Sequence, residues 1–506
     1  MVATSETHGR DHRWTVPLVI LHVNALPDSR RSQVGLAEKT SEVVRILLVL
    51  IEEGRVPVEL LPSLRVHLDW IQYRANFREA VTARRAADGQ GGPLALAEIA
   101  IDLRQADAVT LRDDLVRALA IVHGEGDSSA ARVYLEGFGP VRDSIIWRFN
   151  RLFWHRLHDW ERVSGRGFED ALPGGRSDAN HPEAVADAVA DFWTLLRDME
   201  KRSQLPTEIF ALEIGVGSGT RAGLWLDRFR ALDEERGTGY YPRLRFLLGD
   251  YSLPTLDRAM AAVGTHRDTV SVIGMDALNP LRTLAFLRYK ILYIHLTNVY
   301  DNLPYDEVVR RDGRLYLVET RAYLRQDDVV RIAAAYDLAP ADVARLATRL
   351  PEVGPEALGD GVRGVAFWRD VWGAVRLDER LLGLNNVAQV PLATGLDQSH
   401  LEELLAEAPD DVRFHLSRGA TESFVHTLPL LHPRGYLQVQ DIFVTRMDEY
   451  RHGFRGPGKL DGSVVNWVNG ALLAAVGERM GYDVHFAPFR YRPGSRTSIL
   501  YTTQRD

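Results

Sequence analysis

The chain has 506 residues, 45% of them hydrophobic, and a formal net charge of -8. This length and composition predict a globular protein of two or three domains, and the acidic balance excludes a general surface for nucleic acid. The absence of cysteine excludes disulfides, cysteine zinc sites and thiol catalysis.

The beginning of the chain is polar and interrupted by proline, so we expect residues 1–30 to form a partly disordered leader. Met1–Arg13 mixes acidic with basic residues, which is unlike a secretory signal. The longest apolar run, Ile46–Ile51, is far shorter than the ~20 residues that a membrane helix needs. We therefore expect a cytoplasmic protein without a membrane partner.

Residues 31–136 are expected to form a separate helical region. Apolar residues recur at helical spacing in Leu60–Ile71 and again in Leu94–Val122. Glycine-rich breaks at Asp88–Gly92 and Gly124–Ser129 predict loops between these helices.

The stretch Gly137–Glu161 is rich in aromatic residues, and two interpretations are open. The rings form either the wall of a substrate pocket or a buried helix face, and their i, i+3, i+7 spacing favours the helix face. The residues concerned are Phe138, Trp147, Phe149, Phe153, Trp154 and Trp160.

A glycine turn follows the apolar run Ile209–Ile214, and a helical pattern follows the turn. A strand, a glycine turn and a helix in this order are typical of nucleotide-like cofactor sites, because glycine reaches positive φ and lets the backbone approach a ligand. Thr220 stands where a dinucleotide motif requires its third glycine. An ordinary glycine-rich turn remains the alternative. The E-x-G-x-G-x-G pattern comprises Glu213, Gly215, Gly217 and Gly219.

Acidic residues follow the next two predicted strands. Leu244–Leu248 leads into Asp250, and an acid at this position can bind both hydroxyls of a ribose. Ser252 then begins a helix. The predicted strand Val270–Ile273 leads into Asp276 and Ala277. From the residues alone, Asp276 is more simply explained as a helix cap or a solvated acid.

The fourth predicted strand, Ile291–Thr297, runs into the loop Asn298–Pro304. Ligands of open α/β sheets bind beyond the carboxyl ends of strands, so this loop is expected beside the cofactor. The remaining predicted elements are a fifth strand at Gly435–Val444 with Asp441 near its end, a helix at Val464–Met480, and two terminal strands at Asp483–Phe489 and Arg496–Thr502.

Together these elements resemble the class I S-adenosylmethionine (SAM) methyltransferases, whose Rossmann-like seven-stranded sheet ends in a β-hairpin. The closest resemblance is to the MidA-like family, which includes mitochondrial factors that methylate an arginine of a respiratory-complex subunit. This resemblance rests on three segments: the helix Pro182–Met199, the motif around Gly215 and the loop Asn298–Pro304. It implies a methyltransferase domain over residues 137–506, with a helical insert at about 325–408.

The resemblance also implies residue roles. The three glycines contact the methionine part of SAM, Glu213 its amino group directly or through water, Asp250 the ribose and Asp276 the adenine. Ser252 and Ala277 are further cofactor-binding candidates. Asn298, Tyr300 and Asp301 lie on the acceptor side as catalytic candidates, with Asp441 in reserve. The family carries a glutamate where this chain has Val299. Since a guanidinium is best held by carboxylates, arginine is disfavoured as the acceptor.

We therefore expect SAM as cofactor and a small-molecule or protein acceptor methylated on nitrogen or oxygen. A SAM-binding scaffold with little catalysis, and an enzyme of another nucleotide reaction, are the alternatives. No metal is expected, because the histidines lack ligand spacing. Gly453–Leu460 approaches a phosphate-binding loop but has Leu460 in place of Ser or Thr. A homodimer is left open as the assembly.

Overall fold

The computed structural model describes residues 20–25, 30–57, 60–61, 63–88, 90, 92–124, 131–172, 174–451 and 456–505. The strands are β1 (Ile20–Ala25), β2 (Leu64–Trp70), β3 (Val81–Ala87), β4 (Pro93–Asp102), β5 (Arg132–Tyr134), β6 (Gly139–Pro140), β7 (Ile209–Ile214), β8 (Leu244–Asp250), β9 (Val270–Gly274), β10 (Ile291–Thr297), β11 (Asp306–Arg311), β12 (Arg314–Arg325), β13 (Arg376–Leu384), β14 (Val412–Leu416), β15 (Leu431–Asp441), β16 (Phe443–Val444), β17 (Gly458–Leu460), β18 (Ser463–Val465), β19 (Val468–Asn469), β20 (Tyr482–Pro488) and β21 (Ser498–Gln504). The α-helices are α1 (Arg30–Glu52), α2 (Leu111–His123), α3 (Ile145–His155), α4 (Leu157–Ser164), α5 (Pro182–Lys201), α6 (Thr220–Arg236), α7 (Leu253–Ala262), α8 (Pro280–Leu284), α9 (Gln326–Ala335), α10 (Pro340–Val353), α11 (Gly361–Ala374), α12 (Gln398–Glu407), α13 (Arg418–Thr427) and α14 (Gly470–Arg479).

The first of the two large sheets has seven strands in the order β20-β21-β15-β10-β7-β8-β9. Its strands β7, β8, β9, β10 and β15 are parallel, whereas β21 runs antiparallel between β15 and β20. The parallel strands share one carboxyl edge, which is where open α/β sheets bind ligands.

Both faces of this sheet are covered by helices. Helices α5, α6 and α7 pack on one face, and α8, α13 and α14 pack on the other. Neighbouring residues of β7 therefore point into different cores: Ala211 faces the first set of helices and Leu212 the second. Burial on both faces explains why these strands read as nearly continuous apolar runs.

Two predicted elements near the C-terminus differ in their bounds. The fifth strand begins at Leu431 rather than Gly435 and ends at Asp441. The helix expected from Val464 begins only at Gly470, because the side chain of Asn469 caps it by accepting the Leu472 N–H at 3.1 Å.

The second large sheet has ten strands, in the order β1-β2-β4-β3-β13-β12-β11-β14 with β5 and β6 paired to β12. The prediction of a helical region at 31–136 is therefore wrong. Only α1 and α2 are helices in it, and they pack against β2 and β4. The segment Leu64–Trp70 alternates apolar and polar residues, which is the period of a β-strand. The wider window Leu60–Ile71 also matches a helical spacing, and this explains the wrong prediction.

The expected leader also needs correction, because Ile20–Ala25 forms a parallel strand beside β2. Residues 1–19 lie outside the described residues. The insert at 325–408 contains the predicted helices but also β13, which pairs with β12 and with β3. The N-terminal region and the insert thus complete one sheet. Among the described helices, none has the length and apolar character to cross a membrane.

Charged side chains fill the interior of the ten-stranded sheet. Arg84 of β3 pairs with Glu379 of β13 at 2.5 Å, and Arg311 of β11 pairs with Glu98 of β4 at 2.9 Å. Arg65 of β2 contacts Asp411, the residue before β14. Strands far apart in the sheet order therefore approach one another, so the sheet is strongly curled.

The aromatic stretch forms α3 and α4. Phe149, Phe153 and Trp160 are buried in a core shared with the insert. Their burial agrees with the helix-face interpretation. Trp154 differs, because it is half-buried and its indole donates to Asn302 of the loop Asn298–Pro304. Phe138 lies before α3 and is also half-buried, with the guanidinium groups of Arg321 and Arg380 at 4.2 and 4.5 Å from its ring.

Candidate functional site

The glycine turn connects β7 to α6 with Gly215, Gly217 and Gly219 at φ values of +73°, +55° and +77°. A Cβ on Gly215 would lie 2.5 Å from Cγ2 of Val299, and one on Gly219 would lie 2.6 Å from Cα of Ala259. A Cβ on Gly217 would meet nothing within 4 Å. The outer glycines thus allow close packing, while Gly217 borders open space at the carboxyl edge of the sheet.

Asp250 ends β8 next to this turn. Its Oδ1 accepts the Ser252 N–H at 3.0 Å, and the carboxylate also accepts backbone N–H groups of Tyr251 and Gly217. Burial raises the pKa of Asp250 to about 6, although these N–H groups oppose the rise. A half-buried carboxylate that bridges the ends of β7 and β8 is suited to accept hydroxyl hydrogens from a ligand.

Ser252 contributes differently from the prediction. Its side chain is buried, and its Oγ accepts the Thr255 hydroxyl at 3.0 Å within the first turn of α7. The hydroxyl oxygen of Ser252 is thus engaged inside the helix, and its backbone N–H contributes to the site through the bond to Asp250.

Asp276 and Ala277 follow β9 at the same carboxyl edge. Asp276 is exposed, and its Oδ1 accepts the Leu278 N–H at 2.9 Å. Ala277 is half-buried and packs on the core beneath. The loop is held in shape by the Asp276 side chain, and the position of both residues next to the β8 end fits the predicted adenine side.

Glu213 has a different partner from the one that the motif implied. It is buried, and its Oε2 accepts Nη1 of Arg221 on α6 at 3.0 Å. Nη2 of Arg221 donates to the Tyr293 hydroxyl at 2.5 Å. Burial raises the pKa of Glu213 while Arg221 opposes the rise. The charge of Glu213 is therefore already balanced inside the protein.

A second carboxylate that the sequence did not reveal lies against the turn. The Ser218 hydroxyl donates to Oε1 of Glu169 at 3.0 Å, and Nδ2 of Asn180 donates to both Glu169 oxygens at 3.3 and 3.2 Å. Glu169 sits in a short 3-10 turn far from any recognisable motif. No signal in the sequence pointed to it, because the contact depends on how the segment before α5 folds over the sheet.

The loop Asn298–Pro304 is fixed against the glycine turn. Asn298 has a left-handed backbone at φ +50°, and its N–H donates to the Gln440 carbonyl at 3.0 Å. Such a conformation is uncommon outside glycine and clusters at functional sites. Val299 fills the space above Gly215, which joins this loop directly to the turn.

Two buried carboxyl groups meet behind this loop. Oδ2 of Asp441 accepts the N–H groups of Tyr300 and Asp301 at 2.9 and 3.2 Å, and its Oδ1 accepts that of Ile442 at 2.8 Å. Burial raises the pKa of Asp441 to about 7, and burial together with the Asp441 charge raises that of Asp301 well above its usual range. Because Asp441 holds the N–H groups, we assign the negative charge to it and the proton to Asp301.

Tyr300 does not fit its predicted place on the acceptor side. The residue is 1% exposed and packs in the core between the sheet and α13. The 3-10 turn at Tyr300–Asn302 rotates this side chain inward, so Tyr300 anchors the loop. The acceptor-side positions of Asn298 and Asp301 stay predictions.

Other segments brace the loop from outside the seven-stranded sheet. Nδ2 of Asn466 donates to the Asp301 carbonyl at 2.7 Å, and Nε1 of Trp154 donates to Oδ1 of Asn302 at 3.2 Å. Tyr73, which follows β2, lies close enough that Asp301 and Asp441 add to the effect of burial in raising its pKa. The ten-stranded sheet thus contributes to the site, which sequence motifs alone did not indicate.

The structure also shows the surroundings of His295 and of the segment Gly453–Leu460. His295 is a satisfied core histidine, since its ring nitrogens lie 3.0 Å from Oε1 of Gln438 and 2.6 Å from Oγ1 of Thr297. In the loop that resembles a phosphate-binding motif, residues 452–455 lie outside the described residues. Lys459 of that motif is in strand β17, and its ammonium contacts backbone carbonyls of the insert.

A scan of protein-family models and a search of curated proteins give no match to the chain. Among solved structures it is similar to a COG1565 superfamily member from Burkholderia thailandensis bound to S-adenosyl-homocysteine (SAH), at 12% identity and a TM-score of 0.42, covering 77% of this chain and 91% of that one. The CcbJ methyltransferase from Streptomyces caelestis gives 12% identity and a TM-score of 0.30, with 67% and 94% coverage. The function is therefore inferred from the chain's own site.

Proposed function

We propose that the protein is a SAM-dependent methyltransferase of the class I type. The observation that carries this is the carboxyl edge of the seven-stranded sheet, where Gly217 borders open space beside the half-buried carboxylate of Asp250. The antiparallel β20 and β21 after a parallel array support the methyltransferase class over a plain dinucleotide fold. The sequence of the Asn298–Pro304 loop supports a place in the MidA-like family, with Val299 replacing the family's glutamate on the acceptor side.

Bound SAM would supply an electrophilic methyl group, and the protein would align the acceptor and hold the proton that it loses. Asp441 carries the charge of the carboxyl pair and can take up this proton through Asp301. Val299 presents no carboxylate to a guanidinium. We therefore propose a small molecule, or a protein group other than arginine, methylated on nitrogen or oxygen.

A SAM-binding scaffold is the second candidate, and the burial of the acceptor loop favours it. Asp301 is only 6% exposed and Tyr300 only 1%. An acceptor would therefore reach the carboxyl pair only where the loop, Trp154 and Glu169 leave an opening.

Two substitutions in the loop separate the enzyme from the scaffold. We expect Asn298→Gly and Asp301→Asn to cut turnover by at least on the order of 100-fold with little change in SAH affinity, because the cofactor contacts come from other strands. Glycine retains the left-handed backbone of Asn298. The measurement is transfer of a radiolabelled methyl group from SAM to components of a cell lysate.

The control is Asp327→Asn, at a residue whose side chain is 91% exposed on α9, which should leave labelling unchanged. If the wild-type protein binds SAM but labels nothing, the scaffold is correct. If the label appears mainly on protein arginine, the proposed acceptor class is wrong.

Asp250 should make SAH binding depend on pH. In the free protein its pKa is raised to about 6 by burial, and hydrogen bonds from ribose hydroxyls would favour the ionised form. Affinity should therefore be full well above pH 6 and be about tenfold lower at pH 5 than at pH 8, as the proton competes. Calorimetric titration at pH 5 and 8 measures this.

Asp250→Asn should flatten that pH profile and weaken binding at pH 8 by about 1.5 to 3 kcal/mol, the range for a hydrogen bond to a charged group. An unchanged pH profile in this variant would assign the dependence to another group. A loss of only a few tenths of a kcal/mol would reduce Asp250 to a turn residue.

Glu169 is expected to hold the ammonium group of the cofactor, because Glu213 is already paired with Arg221. Glu169→Gln should weaken SAH binding roughly tenfold or more, the scale of a charge-assisted hydrogen bond. It should leave binding of 5′-methylthioadenosine, which lacks the amino-acid part, within about twofold. Equal losses for both ligands would indicate a structural role only.

A further inference from the structure

A cavity of 490 Å³ lies away from the glycine turn, between the end of β2, the insert and strand β17. None of its lining residues belongs to the glycine turn or to the Asn298–Pro304 loop. Its volume is within the usual range of small-molecule sites. The charged and aromatic groups that line it are Arg74, Arg369, Arg376, Lys459, Asp370, Asp461, Trp160, Trp372 and Tyr336.

Lys459 is a buried basic group of this wall. Its Nζ donates to the carbonyls of Trp372, Gly373 and Val375 at 2.6, 3.2 and 2.8 Å. Burial holds the pKa of Lys459 well below its usual range, because the charged form is disfavoured away from water. Since these carbonyls already take its N–H groups, Lys459 shapes the wall but offers neither a charge nor a donor to a ligand.

Three arginines supply the positive charge of the cavity. Nη1 of Arg376 donates to the carbonyls of Gly373 and Val375 at 2.8 and 3.1 Å, and Arg369 lies 5.5 Å from the Trp160 ring. Arg74 is exposed at the rim. For the residues that the structure describes, none of these guanidinium groups forms an ion pair with a carboxylate.

The two acids of the wall are already engaged. Oδ2 of Asp461 accepts Nε1 of Trp160 at 2.9 Å, and its Oδ1 pairs with Arg166 at 2.8 Å. Oδ2 of Asp370 accepts the Tyr336 hydroxyl at 2.8 Å. Three arginines therefore face two acids, and Arg166 already balances the charge of Asp461, so the cavity has an excess of positive charge.

We propose that this cavity binds a small phosphorylated compound with a flat ring. Guanidinium groups hold phosphate oxygens in pairs of hydrogen bonds, which suits Arg369 and Arg376. The indole N–H of Trp160 is bound to Asp461 and that of Trp372 to the Asp461 carbonyl at 2.9 Å, which leaves the rings as apolar contacts. This site is independent of the proposed cofactor site.

The probe for this proposal is phenyl phosphate, titrated calorimetrically into the full chain. We expect saturable binding at one site, at least tenfold tighter than for inorganic phosphate. The double variant Arg369→Gln, Arg376→Gln should lose at least tenfold in affinity. Arg345→Gln, at an exposed arginine paired with Asp342 outside the cavity, should lose nothing.

Arg74→Gln provides a second variant that leaves the core untouched, and it should weaken phenyl phosphate binding at least threefold. The proposal is overturned if the wild-type protein shows no saturable binding of phenyl phosphate. It is equally overturned if folded variants of the three cavity arginines bind phenyl phosphate as the wild-type protein does.

Discussion

Replacing Gly217 by valine is expected to weaken SAH binding by at least on the order of 100-fold, which is about 2.7 kcal/mol. A Cβ on Gly217 projects into the open space at the carboxyl edge, within 4 Å of no other group. That space is where the proposed cofactor approaches the backbone. The side chain would therefore displace the ligand without disturbing the protein core. Calorimetric titration of the purified variant measures the loss.

Gly237 supplies the matched control. It ends α6 with φ +61°, and a Cβ there also meets nothing within 4 Å, but it lies at the other end of the helix. Gly217→Val and Gly237→Val should each cost about 1 to 3 kcal/mol of stability, because both force a branched side chain into a left-handed backbone. Only the first should lose SAH. Retained binding in a folded Gly217→Val protein would contradict the site.

Replacing Arg413 by methionine is expected to lower the free energy of unfolding by about 3 to 5 kcal/mol. Arg413 pairs with Glu307 at 2.6 Å and with Glu379 at 3.1 Å, and both carboxylates are buried. Methionine retains much of the volume but leaves the buried carboxylate of Glu307 without its arginine, while Glu379 keeps only its pair with Arg84. Urea denaturation followed by circular dichroism measures the change.

The comparison is Arg345→Met, at an exposed arginine that pairs with Asp342 at 2.7 Å on α10. A surface pair of this kind contributes about 0 to 1 kcal/mol. If Arg413→Met lowers the free energy of unfolding no more than Arg345→Met does, the buried ion pairs do not stabilise the ten-stranded sheet.

The same ion pairs determine the response to acid. Burial favours the neutral form of Glu307, but Arg413 outweighs it and lowers the pKa of Glu307 to about 2. A lowered pKa in the folded state adds stability above the unfolded value of about 4.3, and this stability is lost as the pH falls towards 2. Without Arg413 the loss over that interval should be smaller.

The sequence predicts those parts of the site whose geometry is determined by residues close together in the chain. The spacing of Gly215, Gly217 and Gly219 encodes a turn, and the turn needs only the strand before it and the helix after it. Asp250 was likewise found because it ends a strand. Each of these predictions depends on local backbone geometry that recurs whenever the pattern recurs.

The contacts that were missed come from distant segments. Glu169 and Tyr73 reach the site from the chain before α5 and from the ten-stranded sheet, and no periodicity encodes such docking. The predicted orientation of Tyr300 was wrong for a different reason. The 3-10 turn at Tyr300–Asn302 directs the Tyr300 side chain into the core, and the sequence does not show this turn. In β2, the helical spacing expected for Leu60–Ile71 does not account for Arg65, which is buried and paired with Asp411 in the ten-stranded sheet.

The most direct test of the proposed cofactor site is calorimetric titration of the wild-type protein with SAH at pH 7.5, with NAD⁺ as the comparison ligand. Thr220 replaces the third glycine of the dinucleotide motif, and the sheet ends in the antiparallel β20 and β21. The expected result is saturable binding of one SAH per chain and no binding of NAD⁺. Absence of SAH binding, or tighter binding of NAD⁺, would contradict the methyltransferase assignment.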